Sequence, residues 1–181
     1  IKINFLKGAI SMSFAIIRNE KKKVSNLPGL YKHNQRRYKN HSNKDINLEK
    51  TKDNYFIKKC PISYTAMMYK LIEKYNLLGT TKMIKKNRVV VCEMIVTSDN
   101  DFFNSISPEE EKRYFQEAYD FIAEYKELGE EFILDAVVHK DEKEPHMHIA
   151  FLPVLHNFDT KSGKEIIKLD SSGYWKGKDS Y

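Results

Sequence analysis

The stretch HKDEKEPHMH, residues 139–148, collects three of the chain's six histidines, three acids and a proline. Residues two apart in a β-strand share a face, so His146 and His148 project together and Met147 turns the other way. His139 closes a preceding apolar run. If the two runs pair across KDEKEP, three imidazoles converge on one point. Neutral imidazole is the commonest nitrogen ligand for divalent metals. Three protein ligands leave positions open for water or a phosphate oxygen, which a catalytic site needs. Asp141 and Glu142, in the connecting turn, are placed to act as a fourth ligand, a base or a partner of a ligand. A pair of solvent-facing histidines beside a charged turn is the plain alternative. Three histidines with a glutamate on one hairpin argue against it.

These side chains need strands to carry them. EFILDAVVH and HMHIAFLPV read as the two strands of the hairpin, and NRVVVCEMIVTS, about Arg88 to Thr97, as the strongest strand of the chain. SPEEEKRYFQEAYDFIAEYKELG reads as a helix. Ser107 caps it, Pro108 takes its first position, Glu110 completes a capping box and Gly129 ends it. Its buried stripe is Phe115, Ala118, Tyr119, Ile122 and then Tyr125 or Lys126. A second helix runs from the Ser63 cap to Gly79, with Met67, Met68, Leu71, Ile72 and Tyr75 at helical spacing. A further strand is expected over about Ser13 to Arg18. The order is strand, basic segment, helix, strand, helix, strand, strand, with no internal repeat. It predicts an α+β fold, helices packed on a mostly antiparallel sheet as a two-layer sandwich.

The length, 181 residues, suits one domain with a single core, and no run of 18 apolar residues is present. Residues 1–11 read as an upstream extension outside the fold, with Met12 as the natural start and 12–181 as the domain. Cys60 and Cys92 lie outside any metal spacing and read as reduced thiols in a cytoplasmic protein, Cys92 inside a strand. Charge is unevenly placed. Residues 1–60 hold 15 basic and 4 acidic side chains, whereas 105–181 hold 10 and 17. A basic first third points to a polyanion, nucleic acid first. From Glu20 to Lys59 the chain is polar, with Tyr31, Tyr38, Tyr55 and Phe56 among lysines and arginines, a mixture that suits bases and phosphates. It is too long for an idle loop. Lys82, Lys85, Lys86 and Arg88 ahead of the central strand are expected to track a DNA backbone.

The motif His-x-Asp-Glu-x-x-Pro-His-x-His resembles the metal motif of the MobV-type (Pre/Mob) plasmid relaxases, members of the HUH endonucleases. YKHNQRRYKNHSNKDINLEKTKDNY resembles that family's His-Asn-x-Arg and Ser-Asn-x-Asp-Ile-(Asn/Asp) motifs, and VVVCEMIVTSDNDFF its central strand. The likeness runs in order from about Met12 past Pro153. The resemblance implies an enzyme that nicks one strand of plasmid DNA at an origin of transfer, stays attached to the 5′ phosphate and later rejoins the ends. It implies that His139, His146 and His148 hold one divalent cation, Mn²⁺ or Mg²⁺. His33 would be the nucleophile, Glu142 would orient it or accept its proton, and Arg36 and Asn34 would contact DNA. Tyr31, Tyr38 and Tyr55 are the competing nucleophiles. Asn43, Asp45 and Asn47 would lie near the site, and His41 on the surface. Family members continue beyond this length, so the domain is expected to be truncated at its C-terminal end. A conjugation coupling protein and a dimer contact through that missing part are further expectations. The alternatives are a rolling-circle replication initiator, a DNA-binding module without nicking activity, and a metal-dependent hydrolase unrelated to DNA, which the basic first third disfavours.

Overall fold

The computed structural model describes residues 14–38, 43–79, 83–160 and 162–176. The upstream extension at 1–11, His41 and Lys82 lie outside the described residues.

A five-stranded antiparallel sheet carries the site. Its strands in chain order are β1 (Ile16–Lys23), β2 (Tyr55–Lys58), β3 (Val89–Thr97), β4 (Ile133–His139) and β5 (His146–Phe151), lying side by side as β1-β3-β5-β4-β2. The three central strands are rich in Val, Ile, Met and Ala, and β4 is buried along its whole length. That burial on both faces needs helices on both. On one face lie α1 (Leu27–Asn34) and α2 (Tyr64–Lys74), joined to it through Asn34–Glu93 and Tyr64–Asp135 contacts. On the other lie α4 (Pro108–Glu124), whose Tyr114 hydroxyl donates to the Thr97 carbonyl, and α5 (Ser171–Trp175), whose Trp175 and Tyr174 reach Cys92 and Phe151. The α+β class and the antiparallel sheet are as expected, with helices on both faces where one helical layer was expected. Helix α4 has the anticipated Ser107–Glu110 capping box and Pro108 at its start. Ser63 caps α2. Cys60 and Cys92 are buried free thiols.

Several elements escape the apolar pattern or are displaced from it. Helix α1 and strand β2 sit inside the segment whose composition suggests a basic, irregular stretch. α1 buries only Leu27, Leu30 and Asn34, too sparse a stripe to stand out among lysines. Strand β1 starts later than expected and runs to Lys23. It is an edge strand, where exposed lysines are tolerated and discourage further pairing. A short helix α3 (Asn100–Ser105) follows β3, capped by Asp99. After β5 the chain turns into a separate hairpin, β6 (Val154–Asp159) with β7 (Lys164–Leu169).

Register decides where the chemistry falls. His146 lies between Thr97 and His139, and His148 between Ile95 and Val137. The three histidines therefore share one face at one end of the sheet, the face α1 covers. Arg88 precedes the opposite end of β3. Seven residues of strand separate it from the level of Ile95, roughly 23 Å at the usual rise.

Candidate metal centre

The hairpin places its imidazoles as the alternation requires. Ring centroids are 4.8 Å apart for His139–His148, 5.0 Å for His146–His148 and 5.5 Å for His139–His146. Each ring commits one nitrogen to a fixed acceptor. His139 Nε2 donates to the Asn34 carbonyl at 3.0 Å, His148 Nδ1 to Glu93 Oε1 at 2.8 Å and His146 Nδ1 to the Glu144 carbonyl at 2.9 Å. These bonds set the tautomers and turn the other nitrogens, with their lone pairs, inward. Among the described residues, neither His139 Nδ1 nor His148 Nε2, both buried there, finds a partner. A buried lone pair left unmatched is destabilising unless a ligand takes it. Both point to a cation.

Burial keeps His139 and His146 neutral. Desolvation, reinforced by the neighbouring His148 and Arg36, lowers His139 to about 2, and desolvation with His148 likewise lowers His146. The ligand atoms fall into two overlapping groups, His139 with Glu142 and His146, and His33 with His139 and His148. Within each group all atoms lie within 4.8 Å of one another. Of the histidines expected to bind a metal, His139 and His146 fall in the first group and His139 and His148 in the second, where His33 joins them.

His33 arrives on the last turn of α1. Its ring is 5.1 Å from that of His148 and 5.7 Å from that of His139. Desolvation, then His148 and Arg36, lower it to about 4, so it is neutral at neutral pH with a lone pair available. It separates two cavities. One, about 320 Å³, is lined by His33, Ile95, Thr97, Glu142, Glu144, His146 and His148. The other, about 480 Å³, lies towards β1 and includes Glu20, Lys22, Tyr38 and Glu93.

Two residues beyond the end of α1, Arg36 takes a left-handed backbone conformation, φ 48°, which strains a side-chain-bearing residue. Its guanidinium compensates. It donates to Asp141 from Nε at 2.9 Å and from Nη2 at 2.6 Å, and to Glu142 Oε1 at 2.6 Å. Its Nη1 lies 3.5 Å from His33 Nε2. Asp141 also accepts from Thr51 and Asn54, and its backbone carbonyl from Asn47 N. Burial alone would raise the Asp141 carboxyl, but these donors, Arg36 first, hold it well below the usual carboxylate range. Asn43 Nδ2 donates to Glu142 Oε2 at 2.8 Å. Residues 43–47 thus lie against the Asp141–Glu142 turn, and Asn43 and Asn47 accept the local backbone bonds of Asx turns.

Several expectations change. Arg36 is not a free phosphate contact. Its side chain is 6% exposed and committed to Asp141 and Glu142. Asn34 is not a DNA-facing residue either. It is buried, and its side chain reaches Tyr64 OH and Glu93. Arg88 donates to the Leu169 carbonyl, and Lys85 and Lys86, though exposed, precede the end of β3 far from the histidines. Of the competing tyrosines, Tyr31 stacks edge-on against Tyr64, Tyr55 is in β2 and Tyr38 alone shares a cavity with His33. Glu93 is a site residue that the sequence reading did not single out. It is a carboxylate inside an otherwise apolar strand, buried and lowered to about 2 against its desolvation by His148 and Lys22. An acid at the centre of VVVCEMIV was the available signal.

A family model described as "Plasmid recombination enzyme" matches residues 11–171. Among curated proteins, a plasmid recombination enzyme of a Bacillus species is 41% identical over 144 residues, 79% of this chain and 34% of the relative. One of Bacillus thuringiensis is 38% identical over 162 residues, 86% of this chain and 35% of the relative. The chain therefore spans about a third of the length of these relatives. Among solved structures, the Mn-bound MobM relaxase domain (MOBV; Mob_Pre) bound to plasmid pMV158 oriT DNA, at pH 6.8, superposes with a TM-score of 0.73 and 33% identity. The match covers 90% of this chain and 76% of that one.

Proposed function

We propose that this chain, which belongs to the plasmid recombination enzyme family, nicks and rejoins one strand of plasmid DNA at an origin of transfer by metal-assisted transesterification. One observation carries the reading. A neutral, half-buried histidine, His33, stands against inward-facing imidazole nitrogens that have no other partner among the described residues. A metal with no nucleophile would suit simple hydrolysis. A metal beside a histidine held neutral suits covalent transfer.

His139, His146 and His148 would hold one divalent cation, Mn²⁺ or Mg²⁺. The cation supplies charge neutralisation at the scissile phosphate as charge develops there. The remaining work belongs to the chain. The Asn34 carbonyl, Glu93 and the Glu144 carbonyl fix the histidine tautomers. His33 presents its lone pair to phosphorus. A P–N bond forms, the P–O3′ bond breaks and a free 3′ hydroxyl is left beside a 5′-phosphoramidate. Rejoining is the reverse step. Glu142, held by Arg36 and Asn43 on the cavity His33 lines, is the carboxylate placed to orient that ring or take its proton. The partner is single-stranded or hairpin origin DNA in the cytoplasm. A conjugation coupling protein and a second copy of the chain are further proposed partners.

The test is an adduct assay. Protein and Mn²⁺ are incubated with origin-of-transfer oligonucleotides and resolved on a denaturing gel. We expect a covalent adduct that acid cleaves, as a phosphoramidate should be cleaved, and that His33→Ala abolishes. An acid-stable adduct surviving His33→Ala would move the nucleophile to Tyr38. DNA binding with no adduct would favour the binding-module reading.

A further inference from the structure

His139 belongs to both ligand groups, so an ion held with His33 and an ion held with His146 compete for it. The groups differ in kind. His139, Glu142 and His146 include a carboxylate, and the cavity beside Glu142 and His146 has room for water or phosphate oxygens. An ion that keeps six ligands and accepts oxygen, such as the Mn²⁺ proposed above on His139, His146 and His148, can add oxygen ligands from that side. His33, His139 and His148 offer nitrogen alone, and two of the three side chains are buried. They contain two of the buried nitrogens that lack a partner among the described residues, His139 Nδ1 and His148 Nε2. Three imidazoles with one remaining position form the ligand set of a four-coordinate zinc ion. Such an ion, with bonds of about 2.1 Å, needs nitrogens roughly 3.4 Å apart. The three ligand atoms already lie within 4.8 Å of one another. The His33 ring, half-buried on the last turn of α1, is the member with room to adjust. Its contact with Arg36 Nη1, at 3.5 Å, is at the outer limit of a hydrogen bond and holds the ring weakly.

We infer that His33, His139 and His148 form an alternative all-nitrogen site that takes Zn²⁺ or a similar four-coordinate ion, and that an ion there captures the lone pair of His33. Divalent affinities favour zinc over manganese at nitrogen sites, so a low concentration of the first competes with a high concentration of the second. The captured ring cannot attack phosphorus. The site is therefore an off-state, reversed when the ion is withdrawn and Mn²⁺ returns. The ligand set stands on geometry, and only its effect on activity rests on His33 being the nucleophile.

The probes are ZnCl₂ and MnCl₂, titrated calorimetrically into the wild-type chain, His33→Asn and His146→Asn, each checked for folding by thermal melting. We expect His33→Asn to weaken Zn²⁺ binding at least tenfold and His146→Asn to change it less than twofold. Mn²⁺ should show the reverse order. His33→Gln serves in place of His33→Asn if the latter melts early. Equal loss of zinc affinity in both variants, loss only in His146→Asn, or no zinc binding by the wild type would overturn the inference. In the adduct assay, one equivalent of Zn²⁺ should suppress the Mn²⁺-dependent product at least tenfold, and chelation followed by fresh Mn²⁺ should restore it. Full product in the presence of zinc would overturn the off-state. If Mn²⁺ alone yields no adduct, the proposed function fails, while the titrations still decide the ligand set.

Discussion

The β4–β5 hairpin and the segment from α1 through Asn54 supply the two halves of one site, and they do so in different ways. The hairpin delivers His139, His146 and His148 by local geometry. Strand alternation and antiparallel pairing suffice to bring the three rings together. The earlier segment delivers His33 by tertiary closure. α1 is short and weakly apolar, and its polar anchors, Glu93, Asp135 and Asp141, are far downstream in the chain. A cluster of three histidines can thus be encoded within ten residues, whereas placing a fourth histidine beside it takes a polar seam across the domain.

The largest effect should come from opening that seam. Arg36 and Asp141 form a bidentate pair, with side chains 6% and 0% exposed. Removing one partner of a buried pair strands the other, typically at about 3–5 kcal/mol. Arg36→Ala should lower stability by that amount in urea denaturation. A loss below about 1 kcal/mol would show that the two halves are held together by something other than this clasp.

Asp135 ties the same halves at a deeper level. It accepts from Cys60 N and Tyr64 OH, each at 2.7 Å, and from Gln35. Burial nevertheless raises it from 3.8 to about 6. The folded chain therefore binds this proton more tightly than the unfolded chain. The stabilisation is complete below the unfolded value and is lost as pH rises through about 6. A shift of two units corresponds to about 3 kcal/mol. Asp135→Asn should accordingly flatten the fall in stability between about pH 4 and pH 7 relative to wild type, by up to that amount. An unchanged slope would mean that the carboxyl stays ionised and the seam is ionic throughout.

This contrast also explains what could be read in advance. The α4 capping box, the strand character of β3 and the histidine convergence are short-range signals, and each stands in the fold as the residues suggest. Strand β1, helix α1 and strand β2 are held by partners remote in sequence, so their own residues understate them. Arg36 and Asn34 look like DNA contacts because they are polar residues in a basic segment. They are instead buried by carboxylates that the sequence places far downstream. Glu93 reads as a misfit in an apolar strand until His148 and Lys22 are brought to it.

Glu93 sharpens the comparison because it serves the hairpin from outside it. It accepts the His148 Nδ1 proton at 2.8 Å and is steadied by Lys22 at 3.0 Å. Carboxylates in this position typically raise metal affinity roughly 10- to 100-fold. Glu93→Gln retains the shape and loses the charge. It should weaken Mn²⁺ binding within that range in a calorimetric titration and leave the DNA affinity of the metal-free chain within about twofold. If metal affinity does not change, the hairpin is self-sufficient as a ligand set.

The smallest effect is expected where charge alone pointed to DNA. Lys85 and Lys86 precede β3 at the end of the sheet opposite the histidines, and Arg88 beside them is tied to the Leu169 carbonyl. Exposed lysines strengthen nucleic-acid binding only where phosphates pass, and removing one phosphate-binding lysine lowers the salt slope by about one. With the site roughly 23 Å away by strand rise, an oligonucleotide confined to the nick does not reach them. The double variant Lys85→Ala/Lys86→Ala should therefore alter neither the adduct rate beyond about twofold nor the salt slope of short-oligonucleotide binding. A slope reduced by about two would show that the DNA path continues along the sheet to its far end. The polar seam would then be the middle of the binding surface, and the comparison between the two halves would have to include a third region.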